Sequence, residues 1–299
     1  SSFTDPRERR WELGHNVFGN SYTSALMIGQ GKLFADLEAK YPLGQEPIES
    51  TVYVYNTGSI ADWAGGTTIG SGAGQYVAVP VFSATALSEQ YISSMQGFML
   101  KFKEDTLRIN GVGSPVKFRI GLNKEEAYLS NIYPFGGNQR PQRAPQADPS
   151  DKIHGYLKVG LTSRRSVSSV HLIEAEGTTD EFDNGWDGMQ LNTGRSSSAT
   201  LFVPSAYGDL QVSTSDNIVG DRFGIVNNGD TTYRLTVIRH RLDNHGELYL
   251  YDVATNRYTL LDADTTVYDF TSEGSGNVDK RFVITDRRNA DDPNTAVDE

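Results

Sequence analysis

The sequence contains no cysteine among its 299 residues. This absence excludes disulfides, thiolate nucleophiles, cysteine-bound zinc and iron–sulfur clusters. It does not fix the cellular compartment, because an exported bacterial protein need not carry a disulfide. The candidate sites are therefore made of carboxylate, amide, imidazole and aromatic side chains.

The sequence also lacks a run of about 18 apolar residues, the length that crosses a bilayer as a helix, so we expect no membrane insertion. Its first ten residues, SSFTDPRERR, have no apolar core of the kind that a signal peptide needs, and the chain does not begin with methionine. This start fits a mature or excised piece of a longer chain, with any export signal upstream.

Basic residues are the minority, with 27 Lys and Arg against 38 Asp and Glu and a formal net charge of -11. Nucleic-acid-binding proteins need a basic face, so nucleic acid is not an expected partner. Apolar residues make up 37% of the chain, which suffices for a folded core and argues against disorder. The length allows two domains, each with a core of its own.

Short runs in which apolar and polar residues alternate dominate the chain, and this period of two is that of a β-strand. Clusters of Gly, Asn, Asp, Ser and Pro, which favour turns, separate the runs. We predict strands over residues 51–56, 75–82, 97–103, 116–122, 156–162, 167–175, 199–204, 233–239, 247–253 and 280–286.

Two stretches have helical spacing. Within residues 31–42, four apolar residues share one face and Pro42 ends the pattern, and residues 84–92 form a shorter candidate. Strands joined by hairpin turns, without regular strand–helix alternation, predict an all-β protein of antiparallel sheets packed face to face, with at most one or two short helices.

A domain boundary is predicted within residues 134–151, which are rich in Pro, Gly, Gln and Arg and nearly free of apolar residues. Such a stretch is typical of a linker or a long exposed loop. It would join two tandem, jelly-roll-like β-sandwiches, over residues 1–133 and 152–287. Residues 288–299 are polar and aperiodic, as in a tail.

The segment EFDNGWDG, residues 181–188, combines acidic and aromatic side chains in a short loop. Calcium binds hard oxygen ligands, so this loop is a candidate calcium site. We predict no cofactor that the protein requires. The spacing differs from that of an EF-hand. The alternative is a turn whose Trp186 and Phe182 pack inward while its carboxylates stay solvated. The candidate metal ligands are Asp180, Asp183, Asn184 and Asp187.

Exposed aromatic rings on a concave sheet can bind sugars by stacking, and Trp63 and Trp186 are the candidate ligand-binding residues. The alternative is that both rings belong to the core, because each buries a large apolar area.

Other patterns are better explained as turns. The stretch GSGAG, residues 70–74, lacks the Lys-Ser/Thr of a phosphate-binding loop. His240 and His245, with Asp243 and Glu247, could bind a metal or transfer protons if they converged, but the stretch DNHG also suits a hairpin turn. No nucleophile elbow appears, and no spacing singles out a pair of catalytic carboxylates, so we predict a protein that is not an enzyme.

Several motifs occur in a fixed order. The first half contains WELGHNVFGNSYTSAL, VYVYNTGSIADW and YISSMQGFMLKF, and the second half contains FDNGWDGMQL, GDRFGI and the stretch 247–284. This order resembles that of the C-terminal β-sandwich modules of Bacteroidota surface and secreted proteins that the type IX secretion system exports. The closing PNTAVDE resembles the linker before the sorting domain of those proteins, and the sorting domain itself is absent from this sequence.

The resemblance implies a location and a role rather than a chemistry. It implies export to the outer surface of a Gram-negative bacterium and a non-catalytic structural or adhesive module. Such a module would assemble with itself or with other surface proteins. The alternative is a carbohydrate-binding module, supported by calcium, with glycans as partners. A hydrolase of surface glycans or peptides is the third hypothesis.

Overall fold

The computed structural model describes residues 14–34, 48–56, 75–87, 90–102, 149–191 and 198–287, together with Glu38, Tyr41 and Glu46. Between residues 275 and 279 it describes the backbone alone. Several predictions lie outside the described residues: the strand at 116–122, Trp63, the stretch at 70–74, nearly all of the linker at 134–151 and the tail at 288–299.

The described residues form seventeen strands and two short 3-10 helices, at Ala84–Ala86 and Pro149–Lys152. The all-β prediction is confirmed. No helix in the described ranges is long and apolar enough to cross a membrane. The strands are β1 (His15–Gly19), β2 (Leu26–Met27), β3 (Ile48–Asn56), β4 (Gln75–Pro80), β5 (Tyr91–Ile92), β6 (Gly97–Phe102), β7 (Ile153–Thr162), β8 (Val167–Ala175), β9 (Gly188–Met189), β10 (Thr200–Pro204), β11 (Asp209–Ser215), β12 (Arg222–Asn228), β13 (Thr232–Arg241), β14 (Tyr249–Asp252), β15 (Arg257–Leu260), β16 (Thr265–Thr271) and β17 (Ser275–Thr285).

The two predicted helices have different outcomes. Within residues 31–42, the N–H of Glu38 donates to the C=O of Phe34 at 2.9 Å, which is the spacing of an α-helical bond, and the rest is only partly described. The prediction for residues 84–92 is wrong, because the stretch begins with the 3-10 helix and ends in β5. Ile92 is fully buried and lies opposite Leu26 of β2, so tertiary packing overrides the local pattern.

The first sheet has the strand order β1-β6-β3-β4, and all of its pairs are antiparallel. The first seven residues of β3 are buried, so this central strand is covered on both faces. Its buried residues include Glu49, Ser50 and Thr51, so this covered strand is not a continuous apolar run. The short strands β2 and β5 form a separate two-stranded sheet.

The large sheet has the order β15-β14-β17-β12-β10-β11-β8-β7-β13-β16, and β9 pairs with β11. The pair of β8 and β11 is parallel, so the sheet is mixed rather than purely antiparallel. Phe270 of β16 and Phe282 of β17 lie far apart in this order, yet their ring centroids are only 5.0 Å apart. The large sheet therefore folds over its own core in two layers, as a β-sandwich does.

The first sheet packs directly on the large sheet. The N–H of Ala78 in β4 donates to Oε1 of Gln211 in β11 at 2.7 Å. A Cβ atom on Gly188 of β9 would lie 2.6 Å from the Cβ of Ala78, so the two backbones need a glycine to come this close. All strands of the first sheet precede residue 103 and all strands of the large sheet follow residue 152. The domain boundary between them stays a prediction.

Candidate functional site

The segment EFDNGWDG lies where the first sheet meets the large sheet. Its backbone carbonyls accept three hydrogen bonds from the first sheet or from the turn after β4. Phe82 donates its N–H to Gly185 at 2.8 Å, Ser83 donates its hydroxyl to Trp186 at 2.9 Å, and Thr51 donates its hydroxyl to Asp187 at 2.8 Å. The segment therefore fastens one sheet to the other.

Gly185 explains why the segment can turn at this point. Its φ is +88°, in the region that favours glycine, and a Cβ atom here would lie 2.7 Å from two ring carbons of Phe82. The backbone therefore turns under an aromatic ring that leaves no space for a side chain. The same ring of Phe82 lies 5.6 Å from that of Trp186, measured between centroids.

Asp187 organises the segment from inside the protein. It is 1% exposed, and its two carboxylate oxygens accept the N–H groups of Thr214 at 2.6 Å and Asp183 at 2.7 Å. Burial raises the pKa of Asp187 well above its usual value, against the two N–H donors, which favour the charged form. Its side chain thus ties the turn to β11, whose residue Thr214 it holds.

The four predicted calcium ligands have different surroundings. Asp180 is exposed, and Asp183 accepts the N–H and the hydroxyl of Thr179 at 2.6 and 3.1 Å. Oδ1 of Asn184 accepts the N–H of Ser50 at 2.8 Å, across the contact between the sheets. Among the described residues, no group of three or more His, Asp or Glu side chains is placed to hold a metal ion. The calcium site stays a prediction.

Of the two tryptophans predicted to bind sugars, only Trp186 lies among the described residues. Trp186 is 8% exposed and packs against Phe82, so most of its ring is covered by protein, and Trp63 lies outside the described residues. Phe182, the other aromatic residue of the segment, stacks on Tyr207 with 4.1 Å between centroids. This inward packing agrees with one part of the alternative interpretation, in which Trp186 and Phe182 pack inward. The other part, that the carboxylates stay solvated, is wrong for Asp187, which is buried.

A buried ion pair next to this segment is not evident from the sequence. Nζ of Lys101 in β6 lies 2.7 Å from Oε1 of Glu49 in β3, and both side chains are at most 5% exposed. The hydroxyl of Tyr207 donates to the same carboxylate at 2.6 Å. Lys101 also lies 3.1 Å from the sulfur of Met189. The alternation in GFMLKF places Lys101 on the strand face opposite Phe98 and Leu100, which predicts an exposed lysine, so the sequence offers no signal of this pair.

The predicted cluster of histidines and carboxylates does not converge. His240 stacks on Tyr156 with 4.9 Å between ring centroids, and Glu247 accepts the hydroxyl of Tyr249. His245 instead meets Glu174 at the end of β8, with Nε2 and Oε2 2.5 Å apart. Sequence reasoning missed Glu174, because a carboxylate at the end of an apolar strand gives no local sign of its partner.

The pKa values of the neighbouring carboxylates Glu174 and Asp221 shift in opposite directions. Burial acts against the charge of Glu174, but the N–H of Ile218 and the side chains of His245 and Asn244 hold its pKa below the usual value. Burial raises the pKa of Asp221 to about 7, and the charges of Asp180 and Glu174 add to this effect. Both oxygens of Glu174 already accept hydrogen bonds, from Asn244, His245 and Ile218. The carboxylate of Glu174 therefore links the loop between β11 and β12 to the loop between β13 and β14.

The chain is similar to a fimbrial protein over part of its length. It is 29% identical, over 182 residues, to the minor fimbrium subunit Mfa5 of Porphyromonas gingivalis. The match covers 60% of this chain and 13% of that subunit, so the chain corresponds to a small part of its relative. No protein-family model matches the chain, and no solved structure matches it. The similarity is consistent with the predicted origin in a Bacteroidota surface protein.

Proposed function

We propose that the chain is a non-catalytic structural or adhesive module of a Bacteroidota cell-surface protein. In this proposal the type IX secretion system exports it to the outer surface of the Gram-negative cell. The observation that carries the proposal is the similarity to a fimbrium subunit over 182 residues. The proposed partners are other copies of the chain or other surface proteins, as a subunit of a fibre requires.

The chemistry of the described residues supports a structural role. The carboxylates that a catalytic or metal site would use are engaged in holding elements together, as Asp187 and Glu174 are. A buried carboxylate whose oxygens all accept hydrogen bonds contributes to a fixed geometry. Such fixed contacts between strands and loops suit a module that bears load outside the cell.

Surface labelling of the source organism tests this proposal. An antibody raised against the purified chain should label intact cells, and proteinase K added to intact cells should remove the signal. A periplasmic protein serves as the control and should stay protected. Labelling that appears only after the outer membrane is opened would contradict the proposal.

Carbohydrate binding is the second candidate function, and an exposed tyrosine that packs on a half-buried one favours it. Tyr55 is 37% exposed, and its ring lies 5.3 Å from that of Tyr76 at the end of the first sheet. A glycan array with the wild-type chain and Tyr55→Ala, each with calcium and with chelator, tests this candidate. Binding that the substitution removes would support it. If the wild type binds no glycan under either condition, this candidate is excluded.

A further inference from the structure

Among the described strands, β1 has a neighbour on one side only and forms an edge of the first sheet. The C=O of Gly14 accepts the N–H of Phe102 at 2.9 Å, and the N–H of Asn20 donates to the C=O of Gln96 at 3.0 Å. In an antiparallel ladder every second residue bonds to the neighbouring strand, so the even-numbered residues of β1 bond to β6. The backbone N–H and C=O groups that point away from β6 are those of His15, Val17 and Gly19.

The other edge strands of the first sheet and of the large sheet are protected. In β4 the outward N–H of Ala78 is taken by the side chain of Gln211 at 2.7 Å. On β16 the exposed Asp269 forms a two-pronged ion pair with Arg234, at 2.7 Å for each bond. Strand β15 is four residues long and begins with an exposed arginine. Side-chain caps, charges and short length prevent edge pairing, and among the described strands no partner or charge protects β1.

The side chains of β1 suit contact with another strand. Val17 is 67% exposed and Phe18 is 38% exposed. Burial, with the nearby Lys101, lowers the pKa of His15 to about 4, so the sequence HNVFG carries no charge at neutral pH. The position of a Cβ atom on Gly19 is open space with no atom within 4 Å, so another backbone can approach there.

We propose that β1 pairs with β1 of a second copy, antiparallel and about a two-fold axis at Val17. In this register the outward groups of His15 meet those of Gly19 of the partner subunit, and Val17 meets itself. The strand is therefore complementary to itself, as a two-fold interface requires. The uncharged edge lets two copies meet although each has a net charge of -11. This inference names the surface through which the proposed self-assembly would occur, and it rests on the proposed function.

Sedimentation equilibrium of the full chain tests the pairing. The wild type should show a dimer that depends on concentration. Val17→Lys and Val17→Glu should each weaken association by roughly tenfold or more, because like charges then face each other across the axis. An equimolar mixture of the two variants should restore the dimer, since a lysine then faces a glutamate. This rescue is expected only if position 17 meets its own copy.

Val267→Lys is the matched control, because Val267 is a 50% exposed valine on the edge strand β16. It should leave the dimer unchanged. All variants should keep the thermal unfolding midpoint of the wild type, since both valines are largely exposed. A chain that is monomeric at every concentration, a Val17→Lys variant that dimerises normally, or a mixture without rescue would overturn the proposal. Each of these results would leave the surface labelling unaffected, so the two proposals fail separately.

Discussion

Two buried ion pairs, one next to the contact between the sheets and one inside the large sheet, differ in geometry. Lys101 approaches Glu49 through a single contact of 2.7 Å. Arg281 binds both oxygens of Asp252, at 2.8 and 2.6 Å, and donates a further bond to the C=O of Thr271 at 2.8 Å. Each carboxylate also accepts a tyrosine hydroxyl.

The difference in geometry shows that the two ion pairs contribute to the fold in different ways. The planar fork of Arg281 fixes distance and angle at once, and it lies over the rings of Phe270 and Phe282 at 5.0 and 5.5 Å from their centroids. Lys101 is a compact charge whose other contacts, a sulfur and a tyrosine, impose little direction. The pair in the large sheet therefore holds the layers together by geometry, whereas the pair at the contact mainly neutralises charge.

Removing the arginine should have the largest effect. Arg281→Met leaves Asp252 buried without its cation, and breaking a buried pair in this way costs about 3–5 kcal/mol of unfolding free energy. Urea unfolding measures the loss. Arg287→Met, which removes an 88% exposed arginine side chain, is the control and should unfold like the wild type. Equal midpoints for Arg281→Met and the control would contradict this prediction.

Uncharged side chains should be able to replace the pair of Lys101 and Glu49 with little loss of unfolding free energy. Lys101→Met alone should cost about 3 kcal/mol, and adding Glu49→Gln should recover most of it, because the amide oxygen still accepts the hydroxyl of Tyr207 and the amide N–H faces the hydroxyl oxygen of Tyr53. The same double change at Arg281 and Asp252 should recover little, since the C=O of Thr271 loses its donor. Double-mutant cycles from urea unfolding measure both. Equal recovery at the two pairs would remove the distinction drawn between them.

Replacing Asp187, the buried carboxylate of EFDNGWDG, should reduce the unfolding free energy by less than the loss of either ion pair. Asp187→Asn removes one of two acceptors, so the N–H of Thr214 or Asp183 loses its partner at a cost of about 1–3 kcal/mol. Asp262→Asn changes an exposed side chain that is not among the predicted calcium ligands and is the matched control. Thermal unfolding with and without calcium compares the variants. A larger loss in the control than in Asp187→Asn would show that the surface groups dominate.

Acid should weaken the pair in the large sheet. Burial opposes the charge of Asp252, but the fork of Arg281 and the hydroxyl of Tyr268 hold its pKa below the usual value. A lowered folded pKa gives stability that is present above the unfolded pKa of about 3.9 and is lost as pH falls through the folded pKa. The gap in unfolding midpoint between wild type and Arg281→Met should therefore narrow below that pH. A constant gap down to strong acid would contradict the assignment.

The smallest effect is expected at the surface. Arg234 and Asp269 form two bonds of 2.7 Å, but their side chains are 57% and 60% exposed. Exposed pairs contribute little, because solvent screens them. Arg234→Ala should leave the unfolding midpoint close to that of the wild type, measured by circular dichroism. A loss comparable to that of Arg281→Met would show that geometry outweighs burial.

The sequence predicts well the strands that carry a clear run of apolar residues. Val167–Ala175 is a strand with the predicted bounds, and the runs at 156–162 and 233–239 lie within β7 and β13. The predicted strands do not include β11 and β12, which bury polar residues such as Gln211 and Asn227 and contain few apolar ones. Oε1 of Gln211 and Nδ2 of Asn227 form hydrogen bonds with distant residues, which a local pattern does not contain.

The sequence by itself determined the all-β class and the composition of EFDNGWDG, because side-chain period and turn residues act locally. Only the tertiary structure decided what the segment does. Asp187 accepts N–H groups from Asp183 and from Thr214, which lies 27 residues further along the chain. Asn184 meets Ser50, 134 residues before it. Their partners come from different sheets, so the packing of those sheets makes this acidic loop a junction.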